Sequence, residues 1–211
     1  MVNRVGVLAL QGNFEAHHQR LVELGEQPLL VKKASELDAI SAIVLPGGES
    51  TTMLKLIDDV FFAKLQQLIR HGLPVLATCA GVILLAKGVT NPAQRSLAVL
   101  DVDVERNSYG RQVDSFIDAA LPWTDAGRIW ATSAFPSFPD EAAAIEAVFI
   151  RAPRITRTGK MVEILAANSN GDPLLIREGA IVAATFHPEQ SLHARSVHLA
   201  FLHSLRKNDN C

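Results

Sequence analysis

Short apolar runs alternate with helical patterns through the first hundred residues of the chain. Residues 4–10, 27–31, 42–45 and 74–78 are each of strand length and are bounded by Gly, Pro or a helix pattern, which predicts buried strands. Between them, residues 13–24 carry Phe14, Leu21 and Leu24 at helical spacing and stop at Gly25, while residues 60–70 carry Phe61, Leu65, Leu68 and Ile69 before Gly72. Both read as helices ended by glycine. Strands alternating with helices predict βα units around a parallel sheet.

The second half has a different rhythm. Residues 96–105, 113–118, 145–150 and 161–166 follow one another with turns and no long helix between them, which predicts antiparallel strands. Residues 180–186 return as a buried strand, and residues 191–206 close the chain as an amphipathic helix. The expected class is therefore α/β, a mixed sheet with a parallel centre and antiparallel additions at one side. Residues 121–140 hold both tryptophans together with Pro122, Pro136 and Pro139, and the stretch reads as a long surface excursion with a lid or partner contact as the alternative.

Composition narrows this picture. With 211 residues, 48% of them hydrophobic and 20% charged, the chain fits a single domain over residues 1–211 and is incompatible with disorder. A chain of this size buries roughly 70% of its unfolded surface and needs no covalent staples. The apolar stretch 73–86 is broken by Pro74, Thr78 and Gly81 and falls short of a membrane span. Only two cysteines occur, Cys79 and Cys211, too few for a disulfide framework. The short apolar run after Arg4 is no secretory leader, so a cytoplasmic location is expected. Lys plus Arg number 20 against 22 for Asp plus Glu, without blocks of like charge, and this balance argues against a nucleic-acid partner.

The chemistry concentrates at three turns. In Leu76-Ala77-Thr78-Cys79-Ala80-Gly81 a strand runs into a helical pattern with a Cys at the junction, the layout of a nucleophile elbow. Small neighbours permit the sharp turn, and the helix start aims N–H groups at the sulfur, a setting of reactive cysteines. Taken by itself, such a Cys could equally be a small buried hydrophobe. Thr185-Phe186-His187-Pro188-Glu189 ends the last buried strand with a base and a carboxylate two residues apart. Pro188 biases His187 toward extended backbone, so Glu189 would point the same way and orient the imidazole. The third turn, Leu45-Pro46-Gly47-Gly48-Glu49-Ser50-Thr51-Thr52, allows close backbone approach and could present N–H groups to an oxyanion.

A metal centre is not expected. His193, His198 and His203 recur every five residues, and five helical steps rotate by about 140°, so they cannot share one face. His17 and His18 are adjacent and diverge similarly.

Taken in order, Leu8-Ala9-Leu10-Gln11-Gly12, Pro46-Gly47-Gly48-Glu49-Ser50-Thr51, Thr78-Cys79-Ala80-Gly81, Glu105-Arg106-Asn107-Ser108-Tyr109-Gly110-Arg111-Gln112, Phe149-Ile150-Arg151-Ala152-Pro153 and His187-Pro188-Glu189 resemble the motifs of the triad-type (class I) glutamine amidotransferases. Within that family they are most similar to the glutaminase subunits of pyridoxal 5′-phosphate synthases. The resemblance spans nearly the whole chain and implies a three-layer, flavodoxin-like, class I glutaminase fold. It implies Cys79 as nucleophile, His187 as base and Glu189 as its orienter. It further implies that Gly48, Glu49, Ser50, Arg106, Ile150 and Arg151 bind L-glutamine. Gln11 and Gly12, with Gly48 and Ala80, would form a switchable oxyanion element. Ala77 and Ala16 depart from the family pattern without removing any of these groups. The implied partner is the lyase subunit of a pyridoxal 5′-phosphate synthase, in a hetero-oligomer that receives ammonia, while this chain binds no cofactor of its own. A stand-alone γ-glutamyl thiol hydrolase and a non-catalytic regulatory module are the rival readings of the same fold.

Overall fold

The computed structural model describes residues 4–106, 115–134, 144–191 and 194–208. Strands β1 (Val5–Leu8), β2 (Leu29–Val31), β3 (Ala42–Leu45) and β4 (Val75–Thr78) occupy the four early apolar runs. They alternate with α1 (Phe14–Glu23), α2 (Ser50–Leu56) and α3 (Asp59–Arg70), and α4 (Ala80–Leu85) follows β4 directly. The later elements are β5 (Ala86–Thr90), β6 (Leu100–Glu105), β7 (Phe116–Pro122), α5 (Asp125–Ala134), β8 (Ala144–Phe149), β9 (Arg154–Thr158), β10 (Glu163–Ala167), β11 (Pro173–Glu178), β12 (Ile181–Ala184) and α6 (Arg195–Asn208).

Among the described residues, seven strands form one sheet in the order β10-β11-β12-β4-β3-β1-β2. The five from β12 to β2 run parallel, and β11 and β10 add antiparallel pairs at one edge. Alternation along the strands loads both faces, as helix-covered parallel sheets require. Val5, Val7, Val44, Leu76 and Val182 pack with Leu21 of α1, Trp130 of α5 and Phe201 of α6. Leu8, Ile43, Leu45, Val75 and Ala183 pack with Met53 of α2, Leu65 of α3 and Val82 of α4. The result is three layers, and each fully buried Leu or Val contributes about 1.5–3 kcal/mol.

Two expectations need correction. The antiparallel strands of the second half do not all join the main sheet: β5, β6 and β9 form a separate three-stranded sheet, and β7 pairs with β8 alone. Residues 121–134 are no surface excursion either. Leu121, Trp123, Trp130 and Ala131 are buried in the core, the two indole rings lie 6.2 Å apart, and Trp123 bridges to Ala166 of β10. Two tryptophans bring more apolar area than the nearby prolines and small residues take away, and that area is buried. Residues 135–140 of that stretch, the motif residues 107–112 and the beginning of the 113–118 run lie outside the described residues, as do His193 and Cys211.

Candidate active site

The elbow forms where β4 ends. Cys79 has φ +46° and ψ −103°, a conformation that costs an L-residue about 1–3 kcal/mol and is held only where the surroundings enforce it. Here the Cys79 N–H donates to the Ala184 carbonyl at 2.9 Å, fastening the turn to β12, and Ala80 begins α4. As the first residue of that helix, Ala80 has an N–H without an intrahelical partner.

Parallel pairing of β12 with β4 sets Ala184 opposite Thr78, so the residues after each strand emerge side by side. His187 follows β12, and its imidazole and the Cys79 thiol line the same cavity. Its Nδ1 stands 2.7 Å from Glu189 Oε1, which leaves Nε2 for the sulfur. The expected extended path to Glu189 is replaced by a single 3-10 turn over Pro188–Gln190. Proline favours the first position of such a turn, where its missing N–H costs nothing, and the turn folds Glu189 back beneath the imidazole. Both side chains are almost wholly buried. Burial alone would lower the His187 pKa, but its hydrogen bonds with Cys79 and Glu189 outweigh that and raise it to about 10. Burial alone would raise Glu189, but the His17 and His187 imidazoles outweigh that and hold it at about 2. The imidazole is thus built to carry a proton and the carboxylate to stay ionised.

The Gly-Gly turn after β3 packs against this pair. A Cβ on Gly47 would fall 2.3 Å from His187 Cε1, so only glycine lets the backbone approach the imidazole so closely. The Gln11–Asn13 segment lies on the same turn: Asn13 N–H donates to the Gly47 carbonyl at 3.0 Å and Glu49 N–H to Gln11 Oε1 at 2.9 Å. Gly12 has φ +88°, and a Cβ there would lie 1.9 Å from the Gly47 carbonyl oxygen.

Across the cavity, Glu49 caps α2 by accepting from Thr52 N–H at 2.7 Å. Burial works against its ionisation, but the hydrogen bonds from Thr52 and Thr51 prevail and lower its pKa. Arg106 Nη2 donates to Glu49 Oε1 at 3.2 Å and to Thr51 Oγ1 at 3.1 Å. Ser50 Oγ donates to Gln94 Oε1 at 3.0 Å. Arg151 also has a positive φ, +48°, and the Ile150 carbonyl before it lies 3.9 Å from Cys79 Sγ.

These groups enclose a cavity of about 290 Å³. Gln11, Gly12, Gly48, Glu49, Ser50 and Cys79 line it together with Arg106, Ile150, Arg151 and His187. Glu189 stands behind His187 and Ala80 behind Cys79. The sequence reading missed Asn13 and Ile83, which also line the cavity, and the buried His17 and His198 behind it. A signal existed for part of this, because Asn13, His17 and Arg20 recur at the spacing of one helix face. No local signal could have paired His17 with His198.

A Cys at a strand–helix elbow, a buried His–Glu pair beside it and a small polar cavity sit together on a sheet of the class I glutamine amidotransferase type. The chain belongs to the SNO glutamine amidotransferase family, whose model matches residues 7–207. The pyridoxal 5′-phosphate synthase subunit PdxT of Solibacter usitatus is 47% identical over 210 residues, covering 97% of this chain and 100% of that protein. PdxT of Thermotoga maritima is 45% identical over 205 residues, covering 96% and 100%. Among solved structures, a glutamine amidotransferase superposes with a TM-score of 0.81 at 37% identity, covering 96% of this chain and 98% of that one. Among the described residues, no helix is long and apolar enough to cross a membrane.

Proposed function

We propose that the chain is the glutaminase subunit of a pyridoxal 5′-phosphate synthase, hydrolysing L-glutamine to glutamate and ammonia and passing the ammonia to the lyase subunit. The observation that carries this reading is that one cavity is lined both by Cys79 and His187 and by the Arg106–Glu49 pair. An amino acid needs this polarity: Arg106 and Arg151 offer cations to its carboxylate, Glu49 an anion to its ammonium, and the carboxamide is left facing the thiol.

In this mechanism the Cys79 proton rests on His187 Nε2, and the Sγ thiolate attacks the carboxamide carbon. The N–H groups of Gly48 and Ala80, with the Gln11–Gly12 segment, receive the oxyanion. Collapse breaks the C–N bond, and His187 returns the proton to the departing nitrogen, so that ammonia leaves and a γ-glutamyl thioester remains. Water then attacks that ester and loses a proton to His187. Glutamate departs and the thiol is restored. Glu189 holds the imidazole in the tautomer that both steps use. The working form is a cytoplasmic hetero-oligomer with the lyase, needing no metal, cofactor, nucleic acid or membrane in this chain.

Pyridoxal phosphate formation by the reconstituted pair tests the division of labour. With Cys79→Ala, synthesis from glutamine should stop while synthesis from added ammonium continues. A pair that stays inactive with excess ammonium would contradict the reading.

A further inference from the structure

One face of α1 is aimed at the Glu189 turn. Asn13, His17 and Arg20 are spaced i, i+4 and i+7 and therefore share a stripe. Asn13 Nδ2 donates to Glu189 Oε1 at 3.4 Å, and Arg20 Nη2 donates to the carbonyls of Glu189 and Ser191 at 3.5 and 3.3 Å. His17 lies between them, wholly buried. Its Nε2 is 3.3 Å from Glu189 Oε2 and 3.1 Å from Thr78 Oγ1, and its Nδ1 is 3.0 Å from His198 Nε2. Glu189 Oε2 is buried and forms no directed hydrogen bond among the described residues, so its 3.3 Å approach to His17 Nε2 is an electrostatic contact.

We infer that His17, oriented by His198, is a positioning residue that holds the second oxygen of Glu189 and so aims the first at His187. This rests on reading the chain as a Cys79-dependent glutaminase. The proton arrangement follows from the unpaired atoms. His198 Nδ1 is buried and has no partner among the described residues, and an unpaired lone pair there costs less than an unpaired N–H. His198 therefore carries its proton on Nε2 and donates to His17 Nδ1. His17 in turn carries its proton on Nε2, facing Thr78 Oγ1 and Glu189 Oε2. The opposite tautomers would set a lone pair against a buried carboxylate and strand an N–H on His198. Burial holds both imidazoles below their ordinary pKa, which suits one proton on each. Because Thr78 precedes the nucleophile, the same ring also fixes the strand of Cys79 relative to the turn of Glu189.

The test is a double-mutant cycle on the full chain with the lyase subunit present, read as glutamate release. His17→Leu should lower kcat about tenfold or more with KM changed less than about twofold, whereas His17→Gln, which keeps a distal N–H, should stay within about threefold of wild type. In a Glu189→Gln background, His17→Leu should cost less than about a further twofold, because the group it acts through is already neutral. An equal cost in both backgrounds, a loss seen in KM, or failure of Gln to rescue would overturn the inference. If His17→Leu does not fold by thermal melting, His198→Phe takes its place in the same cycle, with the same expected and overturning results. Alkylation of Cys79 by iodoacetamide, quantified by mass spectrometry, reads the cycle without substrate. A wild type inactive on glutamine would therefore count against the proposed function, while a flat alkylation cycle would count against the role of His17.

Discussion

One carboxylate, Glu49, lines the cavity and another, Glu189, stands behind His187, and the difference between them is burial. Glu189 has a side chain with 0% exposure and is paired with His187 at 2.7 Å. Glu49 has a side chain 39% exposed and is paired with Arg106 at 3.2 Å. Both are held below the ordinary carboxylate pKa, but by different means. Glu189 depends on two imidazoles in a site closed to water, where a charge without partners is expensive. Glu49 depends on hydrogen bonds at a helix start, and water screens its ion pair. A closed site fixes geometry for a proton transfer, while an open one leaves room for a ligand to exchange partners. The two regions should therefore fail in different kinetic constants.

Neutralising the buried carboxylate breaks the comparison hardest. Glu189→Gln should lower kcat by about 10–10³-fold with little change in KM, since it disturbs imidazole orientation and charge without touching substrate. Steady-state glutaminase kinetics check this, and equal activity with wild type would remove Glu189 from the site. At the open end, Arg106→Ala should raise KM for glutamine by about tenfold and leave kcat within about threefold, by removing a cation that binds ground state and transition state alike. A loss confined to kcat would place Arg106 in the chemistry.

A smaller effect sharpens the same contrast through pH. His17 and His198 are lowered by burial, His198 to about 3, so below the ordinary histidine pKa the unfolded chain binds protons that the folded chain refuses. Stability should fall as pH drops from about 6.5 toward 3. His187, raised to about 10, has the opposite sign: its contribution is complete below about 6.5 and is lost as pH rises toward 10. Denaturant midpoints against pH measure both limbs. His198→Phe should flatten the acid limb and leave the alkaline one, and an unchanged acid limb would show that these imidazoles do not carry it.

Much of the frame was legible because it is locally encoded. The β3 run matches residue for residue, since a buried parallel strand is a continuous apolar stretch, and the Cys79 elbow was readable from its small neighbours. Strands β5, β9 and β11 went unread: Arg154–Thr158 has one buried position among exposed or half-buried Arg and Thr, so its strand character comes from pairing with β6. Helix α5 was hidden by the prolines around it. The described motif residues Gln11, Gly48, Cys79, Arg106, Arg151 and His187 gather around one cavity, but the layer behind them did not show in the sequence. His17 and His198 are 181 positions apart, and only the packing of α1 against α6 brings them together.

The central claim is that Cys79 carries the glutamyl group. Incubation of the chain and its lyase partner with L-glutamine, acid quenching and mass spectrometry of the Cys79 peptide would test it directly. The account predicts a γ-glutamyl adduct on Cys79 in the wild type, accumulating as glutamate and ammonia are released in equal amounts, and neither adduct nor release in Cys79→Ala. Undiminished glutamate release by Cys79→Ala would contradict it.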